Sequence, residues 1–460
     1  MNYFYFFFFL FLALIILIKP LMILVSDRIM RASELKILGI ITFVIGIFCI
    51  AVSAKDSMWF ETTWKLVTFI LGVMLVIRGL VVIFYFEKIK KIIPLFLKNY
   101  YKFAISISLI FIYLAFLIVS NDYLGPQKDI SKCESDESMT VICGFQNPED
   151  IALTPDEKFL FISEFGGIGP YGETASGSFA LLDLSNNQKI IPKIIMDKNI
   201  WGQASCSRGK TEAYGPHGID IVQRDDGRYQ VGIINHFPRE SVEMFELSKN
   251  IESWDLVWKG CIKVPQELYF NDIGLKADGS FYASHMYERD ITMGQWLMNS
   301  LFKSNSGHVV IWEDGDFKKV PNTDGSGPNG IVLDEDADLL YISYNQGDQI
   351  SIFDLESNSE RSNYFIQSPD NIYIENNSVW ITSLDFQVND AGDCMNRPAC
   401  SLPFSVHELD RETLELKNKF SFNKTVFGLP TIALVWKGCI KVPQELYFND
   451  IGLKADGLLR

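Results

Sequence analysis

Pro328-Asn329-Gly330-Ile331-Val332-Leu333-Asp334-Glu335-Asp336-Ala337-Asp338-Leu339-Leu340-Tyr341-Ile342-Ser343 decides how this chain folds, because it is one of five diverged copies of one pattern. In each copy a polar residue suited to holding a metal or a proton precedes an Ile, which opens an alternating apolar run. In the copies quoted at length, an Asp- or Gly-rich turn then leads into a second such run. The other four open at Pro148-Glu149-Asp150-Ile151, Pro216-His217-Gly218-Ile219, Asn271-Asp272-Ile273 and Pro369-Asp370-Asn371-Ile372. Period-two alternation on both sides of a turn reads as paired strands. Repetition at about forty to seventy residues reads as propeller blades, whose inner strands all face one axis. Polar residues starting those strands then converge. A ring of Glu, Asp and Asn oxygens, with no Cys and little His, suits a hard cation such as calcium, which takes about six to eight oxygen ligands.

The 460 residues divide into two parts of opposite character. Of 41 basic and 56 acidic side chains, 12 and 5 lie in residues 1–120, leaving 29 and 51 beyond, a net −22 on the distal part. Such a charge argues against nucleic acid as a partner, since phosphate binding needs a basic footprint. The first 120 residues hold four apolar stretches, about Tyr3 to Val25, Ile37 to Ala54, Leu66 to Phe86 and Phe103 to Val119, each of a length to span a bilayer. Lys19-Pro20 interrupts the first, but no small-residue cleavage site follows it, so it is read as a span. Basic residues gather in the first loop (Arg28, Arg31, Lys36) and the third (Lys88, Lys90, Lys91, Lys98, Lys102). The positive-inside rule makes those loops cytoplasmic and places the chain after Val119 on the extracytoplasmic side.

Seven of the eight cysteines lie in that distal part. Oxidising conditions there permit disulfides, and the close pairs Cys133/Cys143 and Cys394/Cys400 are bridgeable, which leaves Cys206 with Cys261; isolated thiols are the alternative. Residues 256–279, LVWKGCIKVPQELYFNDIGLKADG, recur unchanged at 434–457, while the blade repeats have diverged widely. The copy is a recent event, an assembly error or a tandem duplication. It interrupts a sixth blade beginning Phe427-Gly428-Leu429-Pro430-Thr431-Ile432, so Cys439, Asn449 and Asp450 receive no role.

Other patterns fail on inspection. Gly209-Lys210-Thr211 lacks the preceding glycine of a phosphate-binding loop, having Ala204 in its place. Asp334 to Asp338 begins like an EF-hand but has Leu339 at the turn glycine and Asn345 at the closing Glu, and reads as a hairpin turn. No Gly-x-Ser-x-Gly elbow occurs. His217 and His236, two of five histidines, stand at strand ends and can act as a pair, one polarising a water and the other relaying its proton.

In order, the stretches NPEDIALTPDEKFLFIS, GPHGIDI, INHFPRESVEMFEL, FNDIGLKADGSFYASH, PNGIVLDEDADLLYIS and PDNIYIENNSVWI resemble the paraoxonase/arylesterase family over about residues 140–433. The resemblance implies a calcium-dependent hydrolase of lactones and aryl esters. It implies one calcium held by Glu149, Asn271, Asn329, Asp370 and Asn371, and a second by Asp150, Asp272 and the backbone carbonyl of Ile219. The family's histidine pair falls on His217 and His236. Calcium would polarise the carbonyl while His217, assisted by His236, activates water. The multi-span N-terminus and the last blade depart from the family.

The expected architecture is an all-β, six-bladed β-propeller over residues 121–433 with an aberrant last blade. An α-helical membrane domain of about four spans (1–120) precedes it, and the duplicated tail (434–460) follows. Expected partners are a small lactone or ester substrate and the lipid bilayer. Two rival readings are a gluconolactonase- or strictosidine-synthase-like enzyme on the same fold, and a non-catalytic, calcium-stabilised binding or sensor propeller.

Overall fold

The computed structural model describes residues 2–19, 32–54, 63–119, 133–135, 139–167, 174–385, 403–422, 426 and 429–443. They fall into two compact units, one before residue 127 and one after it.

The first unit is helical: α1 (Asn2–Ile16), α2 (Ala32–Ser53), α3 (Thr63–Lys98) and α4 (Tyr100–Val119). Helices α2 and α3 pack antiparallel through two glycine pairs seven residues apart on each helix. A Cβ on Gly46 would sit 2.7 Å from the Gly72 carbonyl oxygen, and one on Gly79 would sit 2.8 Å from that of Gly39. Small residues let helix backbones approach closely where apolar surroundings offer no hydrophobic drive between them. Helices α1 and α4 also run antiparallel, with Phe9 stacked on Phe111 and the Ser108 hydroxyl donating to the Ala13 carbonyl at 2.8 Å.

Four helices thus stand where four spans were expected, yet among the described residues only Val67–Tyr85 is long and apolar enough to cross a membrane. The other apolar runs, Phe6–Ile16, Gly39–Ser53 and Tyr100–Ala115, are shorter. The expected third loop is also different. Lys88, Lys90, Lys91 and Lys98 lie within α3, which continues past a non-helical Tyr85, and Lys102 lies in α4.

Among the described residues the second unit has five blade-like sheets, antiparallel in their main four strands and with sequential strands as neighbours, and a sixth, two-stranded sheet. Blade 1 comprises Pro148–Leu153, Phe159–Glu164, Ser178–Asp183 and Gln188–Ile190. Blade 2 comprises Pro216–Gln223, Tyr229–Asn235, Ser241–Lys249 and Trp254–Lys263, with Ile194–Met196 added in parallel at its outer edge. Blade 3 comprises Phe270–Leu275, Phe281–His285, His308–Glu313 and Asp316–Lys319. Blade 4 runs from Pro328–Asp334 through Leu339–Tyr344 and Gln349–Asp354 to Ser359–Phe365, and blade 5 from Pro369–Glu375 through Ser378–Leu384 and Phe404–Asp410 to Leu416–Phe422. Burial is deepest in the second strand of a blade and lowest at its outer edge: Ser378–Leu384 is buried except at its first residue, whereas Leu416–Phe422 is mostly exposed. The second strands therefore read as mainly apolar runs, as a sheet stacked between neighbours requires. The run Asp334 to Asp338 forms the expected hairpin turn, closed by Asp338 in the left-handed region.

Five full blades are described where six were expected, the last of them aberrant. Among the described residues the sixth position holds a two-stranded hairpin, Leu434–Trp436 with Cys439–Lys441, built from the duplicated segment. Leu434 and Ile432 pack with Ile151 and Leu160 of blade 1, while Ala433 and Val435 pack with Trp380 and Val406 of blade 5. The Asn371 amide donates to the Thr431 carbonyl at 2.8 Å, and the Thr431 hydroxyl donates to the Glu149 carbonyl, joining blade 5 to blade 1. Disulfides bridge Cys133 to Cys143 and Cys206 to Cys261. Cys394 and Cys400 lie outside the described residues, as do Asn449 and Asp450, and Cys439 is a free thiol.

Gly46→Leu is expected to lower the melting of the helical unit in detergent, followed by circular dichroism, by about 1–3 kcal/mol, because its side chain meets backbone that cannot yield.

Candidate functional site

Every inner strand begins with a register shift against its neighbour, between Pro148 and Asp150, Pro216 and Ile219, Phe270 and Ile273, Pro328 and Ile331, and Pro369 and Ile372. A bulge re-aims a side chain out of the regular alternation. Glu149, His217, Asn271, Asn329 and Asp370-Asn371 all fall in these bulges, and all are buried. The glycines of two repeats have a purpose here. A Cβ on Gly218 would lie 2.5 Å from the Asp272 Cα, and one on Gly330 would lie 2.5 Å from the Asn371 Cα, so adjacent inner strands touch backbone to backbone.

Freed backbone N–H groups are caught by side chains. Ser163 Oγ accepts from the Asp150 amide at 3.0 Å, Ser284 Oγ from the Asp272 amide at 3.0 Å, and Ser343 Oγ from the Gly330 amide at 2.8 Å. The Asp carboxylates then link neighbouring blades. Asp150 accepts from the amides of Ile151 and, across blades, Ile219, each at 2.8 Å. Asp272 does the same with Ile273 and Ile331, and Asp220, absent from the sequence-derived set, with Ile221 and Leu275.

Side chains from several blades meet at one point. Glu149 Oε1 accepts from Asn371 Nδ2 at 3.0 Å and lies 3.6 Å from His217 Nε2. His217 Nε2 is 3.4 Å from Asn271 Nδ2, and His217 Nδ1 is 3.0 Å from His236 Nε2. His236 Nδ1 is in turn 2.7 Å from Glu240 Oε2, a residue the sequence reading did not single out. Phe165 stacks on His217 with ring centroids 4.4 Å apart, and Tyr269 lies against His236 at 5.0 Å. Asn329 and Asp370 occupy the equivalent bulges of blades 4 and 5. Burial, with the neighbouring His236 adding to it, holds His217 well below the ordinary imidazole value, so it stands neutral at neutral pH.

The donor set fits a hard cation at the first position. The buried Oδ1 atoms of Asn271, Asn329 and Asn371 have no hydrogen-bond partner among the described residues. Buried carbonyl oxygens left unmatched are costly, and a cation that takes oxygen ligands removes that cost. Among the described residues no three His, Cys, Asp or Glu side chains cluster as a metal group, because this ring is mainly amide.

At the second position Asp150 and Asp272 lie close enough to repel. Burial first, and neighbouring carboxylates next, push Asp150 up to about 7 and Asp272 well above the usual carboxylate range. Their four oxygens already accept backbone N–H groups, each keeping one lone pair to offer. Ile219 meets Asp150 through its amide.

The remaining histidines are elsewhere. His285 Nδ1 accepts from the Tyr269 amide at 3.0 Å, with His308 beside it, and His407 sits between Ser405 and Tyr364.

Among solved structures, a luciferin-regenerating enzyme is 11% identical with a TM-score of 0.43, covering 70% of this chain and 94% of its own. A protein assigned as an oxidoreductase (glucose dehydrogenase) from Thermus thermophilus is 12% identical with a TM-score of 0.39, covering 70% and 99%. No curated protein matches the chain. The arylesterase family model matches residues 145–441.

Ser284→Ala is expected to cost about 1–3 kcal/mol, because it strips the acceptor from the buried Asp272 amide and the donor from the Asn329 carbonyl. The urea midpoint of propeller unfolding should fall with its slope unchanged.

Proposed function

Because this chain belongs to the arylesterase family, we propose that its propeller is a calcium-dependent hydrolase of lactones or aryl esters, anchored to a membrane by the N-terminal helices and facing the extracytoplasmic side. The observation that carries the reading is a set of buried amide oxygens, at the bulges of three separate blades, that have no hydrogen-bond partner among the described residues, together with a buried histidine pair beside Glu149. Glu149, Asn271, Asn329, Asp370 and Asn371 would hold one calcium, and Asp150, Asp272 and the Ile219 carbonyl a second. Bound at the first position, calcium would supply Lewis-acid polarisation of the substrate carbonyl and charge stabilisation for its oxyanion.

The chain's own residues do the rest. Neutral His217 offers a base to a water attacking the carbonyl, and His236 at 3.0 Å takes up the proton's charge through Nε2. Phe165 covers one face of His217 and holds its plane, which keeps the ring from rotating out of reach. The same base returns the proton to the leaving alkoxide or phenoxide oxygen as the tetrahedral species collapses.

Membrane anchoring is supported by the Val67–Tyr85 helix and by the exposed apolar faces around it, with Val44, Phe48, Met74, Ile77 and Phe84 all turned outward. Two disulfides in the propeller suit an oxidising compartment.

Full-length protein in nanodiscs, assayed on aliphatic lactones and phenyl acetate, should lose turnover on chelation and recover it with calcium. Calcium-induced thermal stabilisation should be weakened in Asn329→Ala, which removes one unmatched oxygen. Calcium stabilisation without turnover on any of these substrates would favour a binding propeller instead.

His217→Gln should lower kcat by about 10²–10⁴, the usual contribution of a general base, and leave calcium stabilisation in place. A His217→Gln enzyme with undiminished kcat would remove the base from this assignment.

A further inference from the structure

We infer that Glu240 is a positioning residue that sets which nitrogen of His217 is bare, by way of His236. The inference deepens the hydrolase reading and rests on it for its catalytic consequence, though not for its structural content.

A carboxylate only accepts hydrogen bonds, and a neutral imidazole has one donor and one acceptor nitrogen. Glu240 Oε2, at 2.7 Å, therefore requires the proton of His236 on Nδ1. That leaves His236 Nε2 as an acceptor, and at 3.0 Å its donor is His217 Nδ1–H. His217 Nε2 is then bare, and it faces Glu149 at 3.6 Å and the Asn271 amide nitrogen at 3.4 Å. The Asn271 contact agrees with this: Nδ2 is turned to the bare nitrogen and Oδ1 is left unmatched. One carboxylate at the rim thus aligns two rings and delivers a lone pair to the point where the blades meet. Without it both rings can hold the other tautomer, which puts a proton on His217 Nε2 and removes the base.

The loop from His236 to Glu240 is fixed for this purpose. Asn235 Nδ2 donates to the Arg239 carbonyl at 2.9 Å and to Ser241 Oγ at 3.1 Å, bracketing Glu240. The His236 amide donates to the Gly215 carbonyl at 2.9 Å. Arg239, the adjacent cation, is taken by Glu212 at 2.6 Å rather than by Glu240. The His236 side chain is fully buried and that of Glu240 is 12% exposed, so water competes little for their bond.

The chain has only five histidines, which makes the protonated nitrogen of each directly readable. Full-length protein labelled with ¹⁵N-histidine would be examined in lipid by magic-angle-spinning NMR, with His217→Gln and His236→Gln spectra assigning the two signals. Wild type should show both residues protonated at Nδ1. Glu240→Gln, nearly isosteric, and Glu240→Ala should both move part of the His217 population to the Nε2–H form. In parallel kcat should fall roughly ten- to a hundredfold with KM within about twofold, and the calcium-induced thermal shift should be unchanged. Nδ1–H signals that persist for both residues in both variants would overturn the inference, whatever the activity. A tautomer shift in a protein that turns over no ester or lactone would uphold the Glu240 assignment and remove the hydrolase reading alone.

Discussion

Backbone amides at the head of each inner strand have nowhere else to go, and the molecule is arranged around satisfying them. The bulges that aim Glu149, His217, Asn271 and Asn329 at the axis also break the ladder, and a buried N–H left unpaired is costly. Two devices answer this. A serine at the end of the second strand caps the bulge within its own blade, and an aspartate reaches to the next blade. The second device sets the spacing between inner strands, and that spacing decides whether the side chains from different blades can meet. Burying Asp150 and Asp272 side by side is the cost of the arrangement, expressed in their raised proton affinities.

Much of this was legible in the sequence because the bulge has a short, position-specific spelling. Pro opens four of the five strands (Phe270 opens the other), the next polar residue lies in the bulge, and in four of the five Gly or Asp follows for close approach or for the inter-blade link. Those demands are local, so they survive divergence of the rest of the blade. The serines were present in the same quoted stretches, as Ile162-Ser163 and Ile342-Ser343, but their task depends on which amide lies opposite, which a single strand does not disclose. Glu240 was hidden for a similar reason. Its relation to His236 arises only when the loop folds back over Asn235.

Where the reading and the structure diverge, non-local context is again responsible. The lysines after Phe86 mark the end of an apolar span, and the span does end at Tyr85, but lysine is a good helix former and helix resumes beyond that kink through Lys88, Lys90 and Lys91. At the last position, beside blade 1, the described part of the copied segment forms two short strands.

That segment also provides a comparison rarely found within one chain. Leu256 to Lys263 lies in a single strand of blade 2, with Gly260 at a bulge and Cys261 bonded to Cys206. The same eight residues at Leu434 to Lys441 turn back on themselves at Lys437-Gly438, both with positive φ, and pair Trp436 with Cys439 across a two-residue loop. Intrinsic propensity is identical in the two places and cancels. Whatever free energy separates extended strand from hairpin is supplied by surroundings: Met244, Phe245 and Cys206 in one case, Ile151 and Val406 in the other. The octapeptide is thus a chameleon with a built-in control, in which the environment alone writes the conformation.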